Sequence, residues 1–195
     1  TGDLDGDSDI DIIAGFYQQT YPYGGFFKYI ENDNPDTLSF LTPSVLSFNT
    51  YYGSYFPTSG DLDGDGNTDL LVWDEYYNNS QSRNVSFFRY YKNDGTPSFT
   101  EITSDIGLGS SSNPVSELSG DLTLVDLDGD GDLDLIAVET DTNTFYYYEN
   151  TTNTSSPSFT VNIPSDIGLP SDLSTYNSGS NIFITSGDLD GDGDL

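Results

Sequence analysis

The sequence predicts an all-β fold built from repeats of about four antiparallel strands each, with an acidic loop between strands. Three observations carry that prediction. A nine-residue Asp-rich segment starts at residues 3, 61, 126 and 188, so the chain repeats at intervals of 58, 65 and 62 residues. Between these segments lie short apolar or aromatic runs separated by Gly, Pro, Asn and Ser turns, which is how short strands read. No stretch places apolar residues at the spacing of an amphipathic helix.

The loop comes first in each unit. In Asp126-Leu127-Asp128-Gly129-Asp130-Gly131-Asp132-Leu133-Asp134, carboxylates occupy positions 1, 3, 5 and 9. Like charges crowded this closely are unfavourable unless a cation lies between them. Gly129 and Gly131 let the backbone curl so that alternate side chains converge, and position 7, Asp132, can offer its backbone carbonyl. An all-oxygen set with several carboxylates suits calcium first, with magnesium or manganese behind it. The same loop runs from Asp3 to Asp11 and from Asp61 to Asp69, which gives three full sites. A fourth copy carries Asp188, Asp190 and Asp192 but stops at Leu195, one residue short of its ninth position, so only a partial site is expected there.

A single Asp-Gly run is an ordinary solvated turn; recurrence at a regular interval argues against that. An EF-hand needs Glu at position 12 and a helix on either side. Position 12 here is Ala14, Val72 and Ala137, in apolar runs that read as strands.

After the loop, each unit continues with a short apolar strand (10–15, 70–73, 133–138) and an aromatic strand (26–31, 87–92, 145–149). A third strand follows a Pro-containing turn (39–42, 99–103, 159–163), and a fourth leads into the next loop (51–57, 122–125, 181–185). Ser-Asp-Ile-Gly-Leu recurs at 104–108 and 165–169. The units are therefore repeat 1 (1–60), repeat 2 (61–125), repeat 3 (126–187) and the start of a truncated fourth (188–195), with no linker between them. The start at Thr1, immediately ahead of a loop, reads as a processed or excerpted chain.

Composition narrows the setting. The chain has 195 residues, enough to bury a substantial core, with 33 acidic and 4 basic residues, a formal charge of −29, and no His, Cys or Met. The loops hold 18 of the acids, so the charge is concentrated there rather than spread as a tail. Such a surface repels nucleic acid and anionic membranes, whose ligands are Lys- and Arg-rich. No apolar run reaches the roughly 18 residues of a membrane span, so neither nucleic-acid binding nor membrane insertion is expected. Without His or Cys the common nucleophile–base pairs are missing, and the carboxylate pairs are committed to metal. The chain reads as a non-enzyme.

Calcium loops suit the calcium-rich outside of a cell. Four Asn-x-Ser/Thr sequons, at Asn78, Asn84, Asn150 and Asn153, point the same way as glycosylation candidates. Aromatics make up 14% of residues. Most belong to strand packing, while tyrosines near turns, such as Tyr76 and Tyr77, could stack on a sugar or a protein.

The Asp-x-Asp-Gly-Asp-x-x-x-Asp loop, the strand ending Tyr-Tyr-Lys-Asn-Asp-Gly (90–95) and the segment Pro-Ser-Phe-Thr-Glu-Ile-Thr (97–103) resemble the FG-GAP/VCBS repeats of integrin-α-like β-propellers. Thrombospondin-type repeats share the loop but not the strands between loops. The resemblance implies that each unit is a four-stranded, propeller-like blade with calcium held between its first two strands. Its implied ligands are Asp3, Asp5, Asp7 and Asp11; Asp61, Asp63, Asp65 and Asp69; and Asp126, Asp128, Asp130 and Asp134. The carbonyls of Asp9, Asn67 and Asp132 would complete the sites. Ser8 replaces the Gly found at position 6 of the other loops, so the first site is expected to equal the others or be weaker.

Propellers close with about 4–8 blades, more than this chain carries. Each blade has faces that must be buried against neighbours. The expectation is an extracellular, calcium-stabilised module with a structural or adhesive role, part of a longer surface protein or filament. It would meet copies of itself or further repeats at both ends. The alternative is a ligand-binding propeller of a secreted receptor-like or lectin-like protein that recognises glycan or an extracellular protein.

Overall fold

The computed structural model describes residues 1–18, 24–33, 39–46, 57–102, 104, 106–109, 121–139, 144–152, 156–162 and 184–187. Among them are eleven strands and no helix: β1 (Ile12–Gln18), β2 (Gly24–Ile30), β3 (Ser44–Leu46), β4 (Pro57–Gly60), β5 (Asp69–Asn78), β6 (Arg83–Asn93), β7 (Phe99–Ile102), β8 (Leu122–Val125), β9 (Asp134–Glu139), β10 (Thr144–Asn150) and β11 (Phe159–Asn162). They form three antiparallel sheets, ordered β1-β2-β3, β4-β5-β6-β7 and β8-β9-β10-β11. The all-β, blade-like architecture expected from the sequence is present.

Each acidic loop is the connection at one end of a sheet. β4 pairs with β5 across the loop at 61–69, Gly60 opposite Asp69. β8 pairs with β9 across the loop at 126–134, Val125 opposite Asp134. In the first repeat a single bridge, Gly2 to Asp11, does the same. The strand ahead of a loop therefore shares a sheet with the strands after it, and each sheet straddles the sequence period.

Two strands of the first repeat lie elsewhere than expected, the fourth beginning only at Pro57 and running to Gly60 rather than over 51–57. The third strand of the first repeat is not 39–42; Phe40 makes only an isolated bridge with Asn32, and the ladder forms at Ser44–Leu46 against Phe27–Tyr29. Pro43 stands between the two, and its missing N–H cannot continue a ladder. Of the predicted fourth strands, 51–56 and 181–183 lie outside the described residues, while Ile184 and Thr185 are not in a strand.

The chain divides into two compact units. One contains Thr1–Asp61, Asp65–Ser104 and Gly109–Val115; the other contains Leu62–Gly64, Asp105–Leu108 and Ser116–Leu195. In the first, Phe27 of β2 packs against Leu70 and Val72 of β5 and Tyr91 of β6, with Ile13, Leu46 and Phe99 at the margin. Two sheets thus bury one face each against the other. In the second, Val125, Ile136 and Tyr147 form the core, flanked by Leu127, Phe145 and Ile184.

Residues 106–108 of the Ser-Asp-Ile-Gly-Leu segment belong to the second unit. Ile106 and Leu108 are buried there, and Phe159 donates its N–H to the Ile106 carbonyl at 2.7 Å. Gly107 has φ +90°, and a Cβ there would lie 1.8 Å from the Phe159 carbonyl oxygen, so only glycine fits. The second copy, 165–169, lies outside the described residues.

Candidate metal sites

The first Asp of each loop shapes it from within. One oxygen of Asp3, Asp61 and Asp126 accepts the N–H of position 6, from Ser8, Gly66 and Gly131, at 2.9, 2.9 and 3.0 Å. The other accepts the N–H of position 4 or 5, from Gly6, Asp65 and Gly129, at 2.7, 3.1 and 2.8 Å. These bonds require a positive φ at position 6, where Gly66 and Gly131 have +91° and +98°. Ser8 adopts φ +76° at the same point, so the first loop keeps the turn against the preference of a residue with a Cβ.

The ninth-position Asp anchors the loop to the sheet. Asp11, Asp69 and Asp134 are all fully buried. One oxygen of each accepts the backbone N–H of the Asn that follows or closes the aromatic strand: Asn32 at 2.9 Å, Asn93 at 2.8 Å and Asn150 at 2.8 Å. The other accepts a tyrosine hydroxyl from Tyr90 at 2.9 Å and Tyr147 at 3.0 Å, whereas the Tyr29 hydroxyl lies 3.3 Å from Asp11 and closer, at 2.9 Å, to the position-3 carboxylate of Asp5. In two loops that second oxygen also accepts the N–H of position 2, from Leu4 at 3.0 Å and Leu127 at 3.1 Å.

Burial pushes the Tyr29 and Tyr147 hydroxyls well above the ordinary phenol range, and the adjoining carboxylates add to this. Both therefore stay protonated and donate. The sequence reading did not single out these tyrosines and asparagines. The signal was there: Tyr-x-x-Asn recurs at Tyr29–Asn32, Tyr90–Asn93 and Tyr147–Asn150.

With positions 1 and 9 held, three carboxylates of each loop converge. Ligand oxygens of Asp3, Asp5 and Asp11 lie within 4.8 Å of one another, as do those of Asp61, Asp63 and Asp69, and those of Asp126, Asp128 and Asp134. Oxygens bound to calcium at 2.3–2.6 Å can be no farther apart than about 5 Å, so these groups fit around one such ion. Burial raises the Asp134 carboxyl above the usual range, with Asp128 adding to this against the hydrogen bonds it accepts. Asp128 is likewise raised, by burial and by Asp130, Glu149 and Asp126. Charge is thus concentrated where a cation would relieve it.

The position-5 carboxylates are not part of these groups. Asp7 and Asp130 each accept the N–H two residues on, from Asp9 and Asp132, at 2.9 Å. Asp65 accepts the same bond from Asn67 and pairs with Lys92 Nζ at 2.7 Å; burial opposes its ionisation, but Lys92 and Asn67 hold its carboxyl below the usual range. At position 7, Asp9 is buried, and Asp132 accepts the Thr152 N–H at 2.9 Å. Asp188, Asp190 and Asp192 lie outside the described residues.

One glycosylation candidate is corrected. Asn150 is fully buried, and its amide nitrogen donates to the carbonyls of Leu62 and Leu133 at 3.1 and 3.2 Å, so the fold closes it to a glycan. The Thr152 hydroxyl that completes its sequon bonds the Asn150 side chain instead. Asn78 caps a turn, accepting from Ser80 and Gln81. Asn84 is exposed and donates to Glu75 at 2.8 Å. Asn153 lies outside the described residues. Of the turn tyrosines, Tyr76 packs edge-on to Phe87 and Tyr77 is exposed.

The family model of the FG-GAP-like repeat matches residues 3–72 and 126–195. The chain belongs to the FG-GAP-like repeat family. FG-GAP repeats are modules of the β-propeller type and a non-catalytic family, typical of extracellular and surface proteins. Comparison with curated proteins finds no match. No helix among the described residues is long and apolar enough to cross a membrane.

Proposed function

We propose that this FG-GAP-like chain is a calcium-stabilised extracellular repeat module with a structural or adhesive role. It belongs to a larger repetitive assembly and meets copies of itself or further repeats on both sides. The observation that carries this reading is the thrice-repeated convergence of positions 1, 3 and 9, each time with the ninth carboxylate buried against the sheet. Hard oxygen donors favour calcium over softer divalent ions, and ligands drawn from both ends of the loop make the ion a staple between adjacent strands. The stabilisation is therefore structural, and the protein's work is to present rigid repeats.

Calorimetric titration of the chelated chain tests this together with melting curves. Calcium should bind at the three loops and raise the melting temperature, and EDTA should reverse the rise. A melting curve unmoved by complete chelation and calcium return would refute the metal reading.

A further inference from the structure

The second loop differs from the other two by the charge at one fixed place. In each repeat the Asn whose N–H binds the ninth Asp is preceded by a charged residue: Glu31, Lys92 and Glu149. All three are half-buried. Lys92 Nζ pairs with Asp65 Oδ2 at 2.7 Å. In the third repeat the acid at this place adds to the negative field of the loop: burial, Asp130 and then Glu149 raise the Asp128 carboxyl. In the first, burial and then Asp5, Asp11, Asp7 and Asp33 raise Glu31 itself. One position beside the loop thus carries a cation in the second repeat and an anion in the first and third.

The second and third loops are the matched pair. Both have Gly at position 6 with positive φ, the same three convergent carboxylates and the same Tyr and Asn contacts to the ninth Asp. Their charge is not matched. Four aspartates and Lys92 leave the second loop a formal −3, with Asn67 at position 7, whereas five aspartates and Glu149 give the third −6. Position 5 shows the consequence. Asp65 Oδ1 accepts the backbone and side-chain nitrogens of Asn67, both at 2.9 Å, and Oδ2 takes Lys92. Asp130 accepts the Asp132 N–H at 2.9 Å, and among the described residues no basic side chain pairs with it.

We infer that Lys92 sets the calcium affinity of the second loop: it is a resident cation, so this loop takes the ion more weakly than the third and depends on it less. Calcium loops are tuned by the charge of their ligand set. Lys92 repels an arriving cation, and Asp65 must release Lys92 before it can turn inward. With no ion bound, Lys92 offsets part of the repulsion among Asp61, Asp63, Asp65 and Asp69. Glu149 acts in the opposite sense at the third loop. The Lys92–Asp65 pair is about one-quarter exposed on both sides, and such pairs add little stability by themselves. Its effect is therefore on the ion. The inference rests on the calcium reading proposed above and gives the repeats different thresholds: as calcium falls, the second loop empties before the third, with its sheet still held.

The test is calorimetric calcium titration of the 195-residue chain, with melting curves in saturating calcium and in EDTA. Lys92→Glu gives the second loop the acid found beside the other two, and it should tighten one site by about tenfold or more while the rest stay put. Lys92→Gln, which removes the charge and adds no anion, should shift the same site less and in the same direction. Glu149→Gln keeps an oxygen for the Asn162 amide that Glu149 accepts, and it should weaken a different site severalfold. In EDTA, Lys92→Glu should melt below wild type, and saturating calcium should close the gap.

A pair that merely held the sheet would lower the melting temperature equally in both conditions and leave every affinity unmoved. That result would overturn the role of Lys92, as would a second loop tightened by neither substitution. Calcium binding that ignores all three charge changes defeats this inference and leaves the calcium reading intact. A chain that binds no calcium in any variant defeats the functional reading itself.

Discussion

In the second sheet, Asp74 lies fully buried on β5 and receives Arg89 Nε at 2.6 Å; in the third, Asp134 lies equally buried at the start of β9 and receives Tyr147 Oη and the N–H groups of Asn150 and Leu127. Arg89 also reaches Glu101, and its guanidinium is held above its usual range: burial works against it, but Asp74 and Glu101 prevail. Asp74 therefore carries its counter-charge within the chain. Among the described residues Asp134 has only neutral donors, as does Asp11 with Leu4, Tyr29 and Asn32. Neutral donors orient a carboxylate and leave its charge, which is what a metal ligand requires. An internal cation removes that charge, which is what a structural buried acid requires.

Substitution at Asp134 should show the largest effect. In saturating calcium, Asp134→Ala should remove one bound ion, worth up to about 4 kcal/mol at a thousandfold excess over Kd. The lost buried hydrogen bonds add about 1–3 kcal/mol. In EDTA the loss should be distinctly smaller, because the buried carboxylate is unfavourable there without a cation. Calcium stoichiometry by calorimetry, with melts in both conditions, measures the difference. Equal losses with and without calcium would erase the contrast with Asp74.

Arg89→Met should rank next and behave oppositely with respect to metal. It strands Asp74 and Glu101 without their cation, a class of change that costs about 3–5 kcal/mol. That loss should be the same in calcium and in EDTA, with all loop ions still bound. Replacing Asp74 by Leu in the same chain should recover much of it, since well-packed apolar substitutes for buried pairs are often neutral. Denaturant melts of the single and double variants decide this, and a calcium-dependent loss at Arg89 would mean that the two regions are coupled.

The same contrast explains what the sequence could and could not reveal. The loops were legible because every candidate ligand lies within nine contiguous residues at a fixed spacing. Their anchoring was not, because Tyr29, Tyr90 and Tyr147 follow their aspartates by 18, 21 and 13 residues. The hairpin between apolar and aromatic strands varies in length, and pairing rather than spacing delivers the hydroxyl. The Arg89–Asp74–Glu101 group joins three adjacent strands, and nothing repeats it in the other units to draw notice. Asn150 was misread for a related reason: Asn-x-Thr is both a glycan sequon and, here, an amide bonded to two carbonyls with its own Thr folded back on it. Strand positions were readable except where Pro43 interrupts the ladder in the first repeat and in two of the strands ahead of the loops, where β4 begins only at Pro57 and Ile184 and Thr185 form no strand.

Tyr147→Phe tests the anchor without touching a ligand. It removes the hydroxyl that Asp134 accepts and keeps the ring in the core beside Val125 and Ile136. A buried acceptor losing one donor costs about 1–3 kcal/mol. Calcium stoichiometry should stay unchanged while the third site weakens, since Asp134 is less firmly aimed. Unchanged stability and affinity would mean that the backbone N–H groups of Asn150 and Leu127 suffice.

The smallest effect separates the first loop from the other two. Ser8 occupies position 6 at φ +76°, where its equivalents Gly66 and Gly131 pay no steric penalty. A residue with a Cβ in this left-handed region costs about 1–2 kcal/mol relative to favoured backbone. Glycine relieves that strain but widens the unfolded ensemble, which returns part of the gain. Ser8→Gly should therefore stabilise the chain by about 0.5–1 kcal/mol. It should also tighten calcium at Asp3–Asp11 towards the other two loops, because the Ser8 N–H that Asp3 accepts at 2.9 Å would be presented without strain. The reciprocal change, Gly131→Ser, should cost a similar amount and weaken the third site. Denaturant unfolding and calcium titration of both variants measure the pair. A destabilising Ser8→Gly would show that the serine contributes something to the first loop that glycine cannot.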